Sequence, residues 1–397
     1  MNIVIIPSGD LSYNSGSVIF AKKLFLNLTL NGHVVFMLSN CMPNDIDSSY
    51  NENIIVNKDI LFHPIIDDRE VTNEDYYKML LALLDGLRKI LSKVGKIDVI
   101  NAHYASINGY AASIIKSLFN IPIVLSSFGR DINIGYSCNY QQKKWVEESY
   151  RHANAIVFPT DSIKQKANSV FPFISCKACY EIAMPVDSNI LTFHKDIQSF
   201  INVHQKIVIS SINSCFTKEK GIATIINAIA IIRKKHNVIL IIAGDDDDEE
   251  KANTTTLCEL ISSLNLENSV FFTGYLSRKK VAELLSSSYI FVDARTEGNF
   301  SSVLIEAQFM NVPTIASDIP FAKEIICCNN GLLFNVGNYQ NLAERIEYLL
   351  VHKEHYQHIK DNIKIWQSLN HNKFSEESCF KSYEELFYDV IKGGKNE

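Results

Sequence analysis

The sequence predicts an α/β protein built from two doubly wound, Rossmann-like domains, each on a parallel sheet. Three observations carry this. Two separate series of alternating strand-type and helix-type segments run along the chain, the first from Asn2 and the second from Lys206. Between them, residues 189–205 have little apolar periodicity and read as a linker. The length, 397 residues, is enough for two full cores.

In the first series, Asn2–Ile6 is a continuous apolar run suited to a buried strand. The loop Asn14-Ser-Gly-Ser17 leads into an amphipathic helix from about Val18 to Leu30, ended by Asn31-Gly32. His33–Leu38 is the second strand, and this βαβ opening requires a parallel sheet. A glycine at position 16 lets a ligand approach the backbone closely, although a simple turn would also use it. Short β-type pieces at Ile54–Val56 and Leu61–His63 interrupt an irregular stretch, Asn40–Asp68. Glu74–Val94 is a long helix with Lys78, Arg88, Lys89 and Lys93 around an apolar face. Such a helix can pack on a sheet or lie on an anionic membrane. Strands follow at Asp98–Tyr104, Ile121–Ser127, Ala155–Phe158 and Cys179–Ile182, with a helix at Asp161–Val170. Arg130 follows a strand end, where α/β proteins bind ligands, with a surface charge as the plain alternative, and His103 is open between a cleft residue and a satisfied loop histidine.

The second series runs strand Lys206–Ser211, helix Ile222–Lys235, strand Val238–Ala243, helix 252–264, strand Ser269–Phe272 and helix Arg278–Ser286. After Gly331–Phe334, helices from about Tyr339 to Leu350, Glu354 to Ser368 and Lys373 to Lys392 finish the chain. The centre of this half is Arg295–Asp318. Strand Tyr289–Val292 leads to a polar loop, Thr296–Phe300. The N-cap residue types Ser301 and Ser302 precede the periodic run Val303, Leu304, Ala307, Met310, and Val312–Ala316 is the next strand. A loop feeding a helix N-terminus favours an anion such as a pyrophosphate. Glu297 in the loop and Glu306 one turn into the helix frame that anion site. One carboxylate on each side suits a sugar nucleotide, with sugar hydroxyls and ribose hydroxyls flanking a diphosphate; two solvated acids on an ordinary βαβ unit is the plain alternative.

Composition bounds the function. Hydrophobic content of 47% and charged content of 21% fit a globular chain, and a net charge of −6 argues against a nucleic-acid partner. The start, Met1–Pro7, lacks the basic region of a signal peptide, and no apolar run approaches a membrane span. The nine cysteines are irregularly spaced, which suggests reduced thiols and a cytoplasmic protein. Cys176-Lys-Ala-Cys179 has the CxxC form, but lacks a second pair for zinc. The six acids Asp245–Glu250 read as a solvated loop rather than a metal site.

Glu297-Gly298-Asn299-Phe300 through Glu306, then Pro313, a strand and Ser317-Asp318, resembles the signature of the family 4 retaining glycosyltransferases of the GT-B fold. Further similarities are Asp98–His103 to "DVIHAH", Phe128-Gly129-Arg130-Asp131 to "HGSD", Met184–Asp187 to "NGVD", and Glu219-Lys220-Gly221 to "EKG". The resemblance covers Asn2 to about Tyr388 and is strongest from Lys220 to Leu333. It implies two Rossmann-like domains facing across a cleft: 1–188 on the acceptor side, linker 189–205, donor-binding 206–370, and a C-terminal helix within 371–397 packing back on the first domain. It also implies roles. Lys220 contacts the donor diphosphate, Glu297 positions the donor sugar, and Glu306 holds the ribose. Gly16, Gly298, Asn299, Phe300, Ser301 and Ser302 line the donor site, and His103, Phe128, Gly129 and Arg130 the acceptor or cleft side. There are departures. The two glutamates are nine residues apart rather than the usual eight. Phe128 replaces a histidine, and Ser214-Cys215 replaces the usual Gly-Arg pair.

The implied activity is retaining hexosyl transfer from a nucleotide-diphosphate sugar to a carbohydrate or lipid-linked acceptor, as in polysaccharide biosynthesis. It needs no cofactor and no metal, and the enzyme is expected in the cytoplasm or peripherally on the inner membrane face. Alternatives are a non-catalytic GT-B subunit binding a partner enzyme, a nucleotide-sugar epimerase, and a metal-dependent transferase using the acidic run. The sequence leaves the sugar, the nucleotide, the acceptor and the oligomeric state open.

Overall fold

The computed structural model describes residues 1–12, 16–43, 45–60, 73–129, 131–132, 140–187, 206–246, 251–298 and 300–393. The expected strand Leu61–His63, the linker 189–205, Arg130, Asn299 and Asp247–Glu250 lie outside them. The chain divides into two compact units, Met1–Met184 with Glu377–Glu397, and Pro185–Glu376.

The first unit holds seven described parallel strands: β1 Asn2–Ile6, β2 Val34–Ser39, β3 Ile54–Val56, β4 Val99–His103, β5 Ile123–Ser126, β6 Ala155–Phe158 and β7 Cys179–Glu181. Their order is β3-β2-β1-β4-β5-β6-β7. The continuous apolar runs are buried on both faces, as a parallel sheet covered by helices requires. In the long helix Asn73–Val94, Met79, Leu83, Leu87 and Ile90 are buried in this core, so its apolar face is used for packing. Its charges pair along the surface, with Lys78–Glu74 at 3.0 Å and Lys89–Asp85 at 2.8 Å. Two further helices, Ile107–Phe119 and Tyr140–His152, pack on this sheet. The first is rich in small residues (Gly109, Ala111, Ala112, Ser113), all of them buried.

The helix Glu376–Gly393 completes this unit, burying Phe380, Tyr383, Leu386 and Phe387. Tyr383 Oη lies 3.0 Å from Ser126 Oγ, and His33 Nε2 lies 2.8 Å from Glu384 Oε1. The last turns of the chain are therefore core of the first unit, even though some two hundred residues of the second unit precede them in sequence.

The second unit holds six described parallel strands: β8 Ile207–Ile212, β9 Val238–Ala243, β10 Val270–Phe272, β11 Ile290–Asp293, β12 Thr314–Ser317 and β13 Gly331–Phe334. Their order is β10-β9-β8-β11-β12-β13. The strongly apolar helix Ile222–Ile232 buries Ile225, Ile226, Ile229 and Ile232 against β8, β9 and the helix Tyr339–Val351. Each such side chain contributes roughly 1.5–3 kcal/mol on burial.

Both orders reverse direction once. The reversal lies between β1 and β4 in the first unit and between β8 and β11 in the second. The carboxyl ends of the two strands at such a switch point diverge into loops and leave a crevice for ligands.

Candidate active site

In the second unit the loops after β8 and β11 meet at the switch point. After β8 a single 3₁₀ turn, Lys218–Lys220, is ended by Gly221 in the left-handed region, φ 66°. A Cβ at Gly221 would lie 1.9 Å from the carbonyl oxygen of Ala294, just past β11. Only glycine permits this approach. Thr296 N–H then donates to the Glu219 carbonyl at 2.8 Å. Lys220, half-buried, is thereby tied to the loop that carries Glu297. Glu297 is exposed, and Gly298 turns the chain with φ 139°.

Below this loop lies a buried clamp. Arg295 donates from Nε to Asp293 Oδ1 (2.8 Å), from Nη1 to the Phe300 carbonyl (2.9 Å) and from Nη2 to Ser301 Oγ (2.9 Å). Ser301 Oγ donates to Asp293 Oδ2 at 2.7 Å and accepts from Leu304 N–H at 3.3 Å. Ser301 is thus the N-cap of the helix Ser302–Phe309, and Ser302 is its first residue. Burial opposes ionisation of Asp293, yet Arg295, Ser301 and the nearby Lys220 charge together hold its carboxyl below the usual range. The clamp fixes the helix N-terminus, and with it the anion-favouring end of the dipole.

Glu306 is 2% exposed. Arg278 Nη2 donates to its Oε1 at 2.5 Å, and Arg278 Nε donates to Asp187 Oδ2 at 3.2 Å. A carboxylate that deep is stable only when paired. Arg278 opens the helix Arg278–Ser287 and orients Glu306 from outside. Of the remaining donor-side residues, Phe300 packs on Phe321 with ring centroids 5.2 Å apart. Cys215, which stands where the family signature has its arginine, is half-buried.

In the first unit the helix Gly16–Leu30 begins at the exposed Gly16, after β1. His103, read from sequence as a cleft residue or a satisfied loop histidine, and Phe128 are both buried in the first unit. His103 is fully buried, with Nε2 2.9 Å from Asn101 Oδ1. Burial pushes its pKa down to about 3, so it is neutral. Phe20 stacks on it at 5.7 Å and Phe128 meets it edge-on at 5.3 Å. Phe128 is 7% exposed and also contacts Tyr104 and Phe20. The physical reason is the ring cluster itself: aromatic side chains gain most when their faces are covered. Gly129 is buried too, and its N–H donates to Asp131 Oδ1 at 3.0 Å. Asp131 also accepts from Ala105 N–H (2.8 Å) and Ser127 Oγ (3.1 Å), locking the loops after β4 and β5.

The acidic run needs one correction. Asp246 is not solvated but 6% exposed, with Oδ2 accepting from Thr254 N–H at 2.8 Å, where it anchors the helix Ala252–Ser263. Asp245 pairs with Lys251 at 2.9 Å. Among the described residues, no group of three or more His, Cys, Asp or Glu is placed to hold a metal, and no helix is long and apolar enough to cross a membrane.

Sequence reasoning missed Asp293, Arg278 and Asp187 as parts of the site. An aspartate ending a strand, with arginine two residues later and serine eight later, is a usable signal for the clamp. Nothing local links Arg278 to a glutamate 28 residues away.

Known proteins now bear on this geometry. The family "Glycosyl transferases group 1" matches residues 194–366, and "Glycosyl transferase 4-like" matches residues 24–160. The N-acetyl-alpha-D-glucosaminyl L-malate synthase of Bacillus anthracis is 24% identical over 96% of both chains. An uncharacterized glycosyltransferase of Methanocaldococcus jannaschii is 27% identical over 83% of this chain and 91% of its own. Among solved structures, sucrose-phosphate synthase from Thermosynechococcus elongatus superposes with a TM-score of 0.82 at 18% identity, covering 99% of this chain and 100% of that one. Anabaena HepE in complex with UDP-glucose gives 0.76 at 16% identity, covering 98% and 100%. With two consecutive glycosyltransferase families matched along a pair of doubly wound parallel sheets, the chain belongs to the group 1, family 4-like glycosyltransferases of the GT-B fold.

Proposed function

We propose that the enzyme transfers a hexose from a nucleoside-diphosphate sugar to a hydroxyl of a carbohydrate or lipid-linked acceptor, with retention and without a metal. The observation that carries this is the backbone bond from Thr296 to Glu219, which ties the Lys220 turn to the Glu297 loop at the switch point of the second sheet. The structural neighbour solved with UDP-glucose supports a nucleotide sugar as donor. The relative named for joining N-acetylglucosamine to malate widens the acceptors to small hydroxy acids.

In this reading Lys220 and the helix N-terminus capped by Ser301 stabilise the departing diphosphate, on which negative charge grows in the transition state. Glu297, exposed beside that end, positions the donor sugar through its hydroxyls. Glu306, oriented by Arg278, accepts hydrogen bonds from the ribose. The acceptor hydroxyl oxygen bonds to the anomeric carbon on the face from which the phosphate oxygen departs. That oxygen takes the acceptor proton as the sugar–phosphate bond breaks. No protein base is needed.

Calorimetric titration with UDP and the other nucleoside diphosphates tests the assignment. Lys220→Ala and Glu306→Ala should weaken binding on the order of tenfold or more, whereas Glu297→Ala should spare binding and lower turnover by ~10²-fold. Unchanged affinity in both of the first two variants removes them from the site. An inverted anomeric product, or transfer lost in chelator and restored by magnesium or manganese, overturns the mechanism.

A further inference from the structure

Cys327 and Cys328 lie between the helix Pro320–Ile325 and β13, in the second unit. Both are exposed free thiols, and their Sγ atoms stand 3.2 Å apart. Consecutive side chains ordinarily diverge; here both turn to one side. The backbone beneath them is fixed. Cys328 N–H donates to Asn330 Oδ1 at 3.1 Å, and the buried Asn330 donates from Nδ2 to Gln308 Oε1 and to the Ile325 carbonyl, each at 2.8 Å.

We propose that Cys327 and Cys328 form a two-thiol binding site for a trivalent, pyramidal metalloid hydroxide of the arsenic(III) type. The spacing selects this chemistry. Tetrahedral zinc, with Zn–S bonds of ~2.3 Å, holds two sulfurs ~3.8 Å apart and wants four ligands. Among the described residues no third or fourth ligand is near. A disulfide needs the sulfurs at ~2.05 Å across one peptide link, a strained closure. A pyramidal metalloid, whose bonds to sulfur leave at nearly a right angle, accepts a shorter separation than zinc does.

Divalent cations need thiolates. Condensation with an arsenic(III) hydroxide proceeds from the neutral thiols. Two As–S bonds form, two As–O bonds break, and each hydroxide leaves as water with one thiol proton. Arsenic stays trivalent, so no oxidant or reductant enters. The site is independent of the donor chemistry proposed above.

The test uses the reduced full chain carrying Cys176→Ser, which removes the CxxC pair, with phenylarsine oxide as probe. One equivalent should bind and block two thiols. The mass should rise by the phenylarsenic unit with its oxygen lost, and the apparent unfolding temperature should increase. Adding Cys327→Ser or Cys328→Ser should weaken retention on the order of 10²-fold, because chelation is replaced by a single bond. Both thiols are exposed, so these variants should unfold at the parent midpoint without the probe. Retention unchanged in both variants, or an adduct that blocks only one thiol, overturns the proposal.

Discussion

The two switch points have the same topology and opposite chemistry. In the first unit the carboxyl ends of β1, β4 and β5 are closed by rings: Phe20, His103, Tyr104 and Phe128 contact one another, and the histidine is neutral. In the second unit the ends of β8 and β11 are held by charges: Asp293 with Arg295, and Glu306 with Arg278. Buried aspartates divide the same way. Burial raises Asp131, against four hydrogen bonds that lower it, while Asp293 is held low by its arginine. A ring cluster stabilises by covered area and does not depend on charge. Ion-paired loops keep fixed charges at a defined place, which a diphosphate site needs, and their desolvation cost is met by pairing.

This contrast can be broken at four places, and the two tryptophans make it measurable. Trp145 is buried in the first unit and Trp366 in the second, so variants keeping one of them report on one unit at a time. The largest effect is expected from Gly221→Ala. The left-handed backbone alone costs roughly 1–2 kcal/mol, and the new Cβ meets the Ala294 carbonyl at 1.9 Å. The Trp366 transition in urea should lose more than about 3 kcal/mol, and transfer should be abolished. A transition within 1 kcal/mol of wild type would show that the Lys220 turn is not held by this approach.

Next is Arg278→Gln, which leaves Glu306 buried without its cation. The expected loss is about 3 kcal/mol in the second unit, with nucleotide affinity falling in parallel. Arg278→Lys should recover only part of it, since a lysine cannot bridge Glu306 and Asp187 in the same fork. Full recovery would make the bridge a simple charge effect.

A change of pH separates the units more gently. His103, lowered from 6.5 to about 3, takes up its proton in the unfolded chain first. Stability of the first unit therefore falls as pH drops below 6.5, by about 2 kcal/mol at pH 5. Asp131 is raised, so its contribution moves the other way, strengthening as pH falls towards its ordinary value. Asp293 is lowered, so its share of second-unit stability is lost only below about pH 4. Urea unfolding at pH 7 and 5 should show the drop in the Trp145 signal, and His103→Gln should remove it. An equal slope in the variant would assign the effect elsewhere.

The smallest effect belongs to Phe128→His. Exchanging the phenyl ring for a more polar imidazole in this buried cluster costs on the order of 1 kcal/mol, read from the Trp145 transition in urea. An unchanged transition would mean that the ring contacts of Phe128 do not stabilise the first unit.

Much of this was legible in the chain. Asn2–Ile6 and Val238–Ala243 are strands because continuous apolar runs of that length can only be buried, and Ser301 announces a helix start because its oxygen can cap one. Only the resemblance to the family signature joined the loop after β11 to Lys220-Gly221, and the bond from Thr296 N–H to the Glu219 carbonyl ties the two backbones together. The helix Ile107–Phe119 is an exception: Ile107, Ala111 and Ile115 recur at helical spacing, but the turn residue types at its start, Ser106-Ile-Asn-Gly109, mask it.

By itself, then, the sequence determined what local physics controls: the parallel strands, most helices, the turn at Gly221 and the capped helix after β11. Tertiary structure alone decided which groups share an environment. It placed Arg278 on Glu306, Arg295 and Ser301 on Asp293, and Tyr383 beside Ser126. It also turned His103 inward, and made Asp246 a buried helix anchor in place of a solvated acid. Burial and pairing are sums over neighbours brought from distant parts of the chain, and no local pattern records who those neighbours will be.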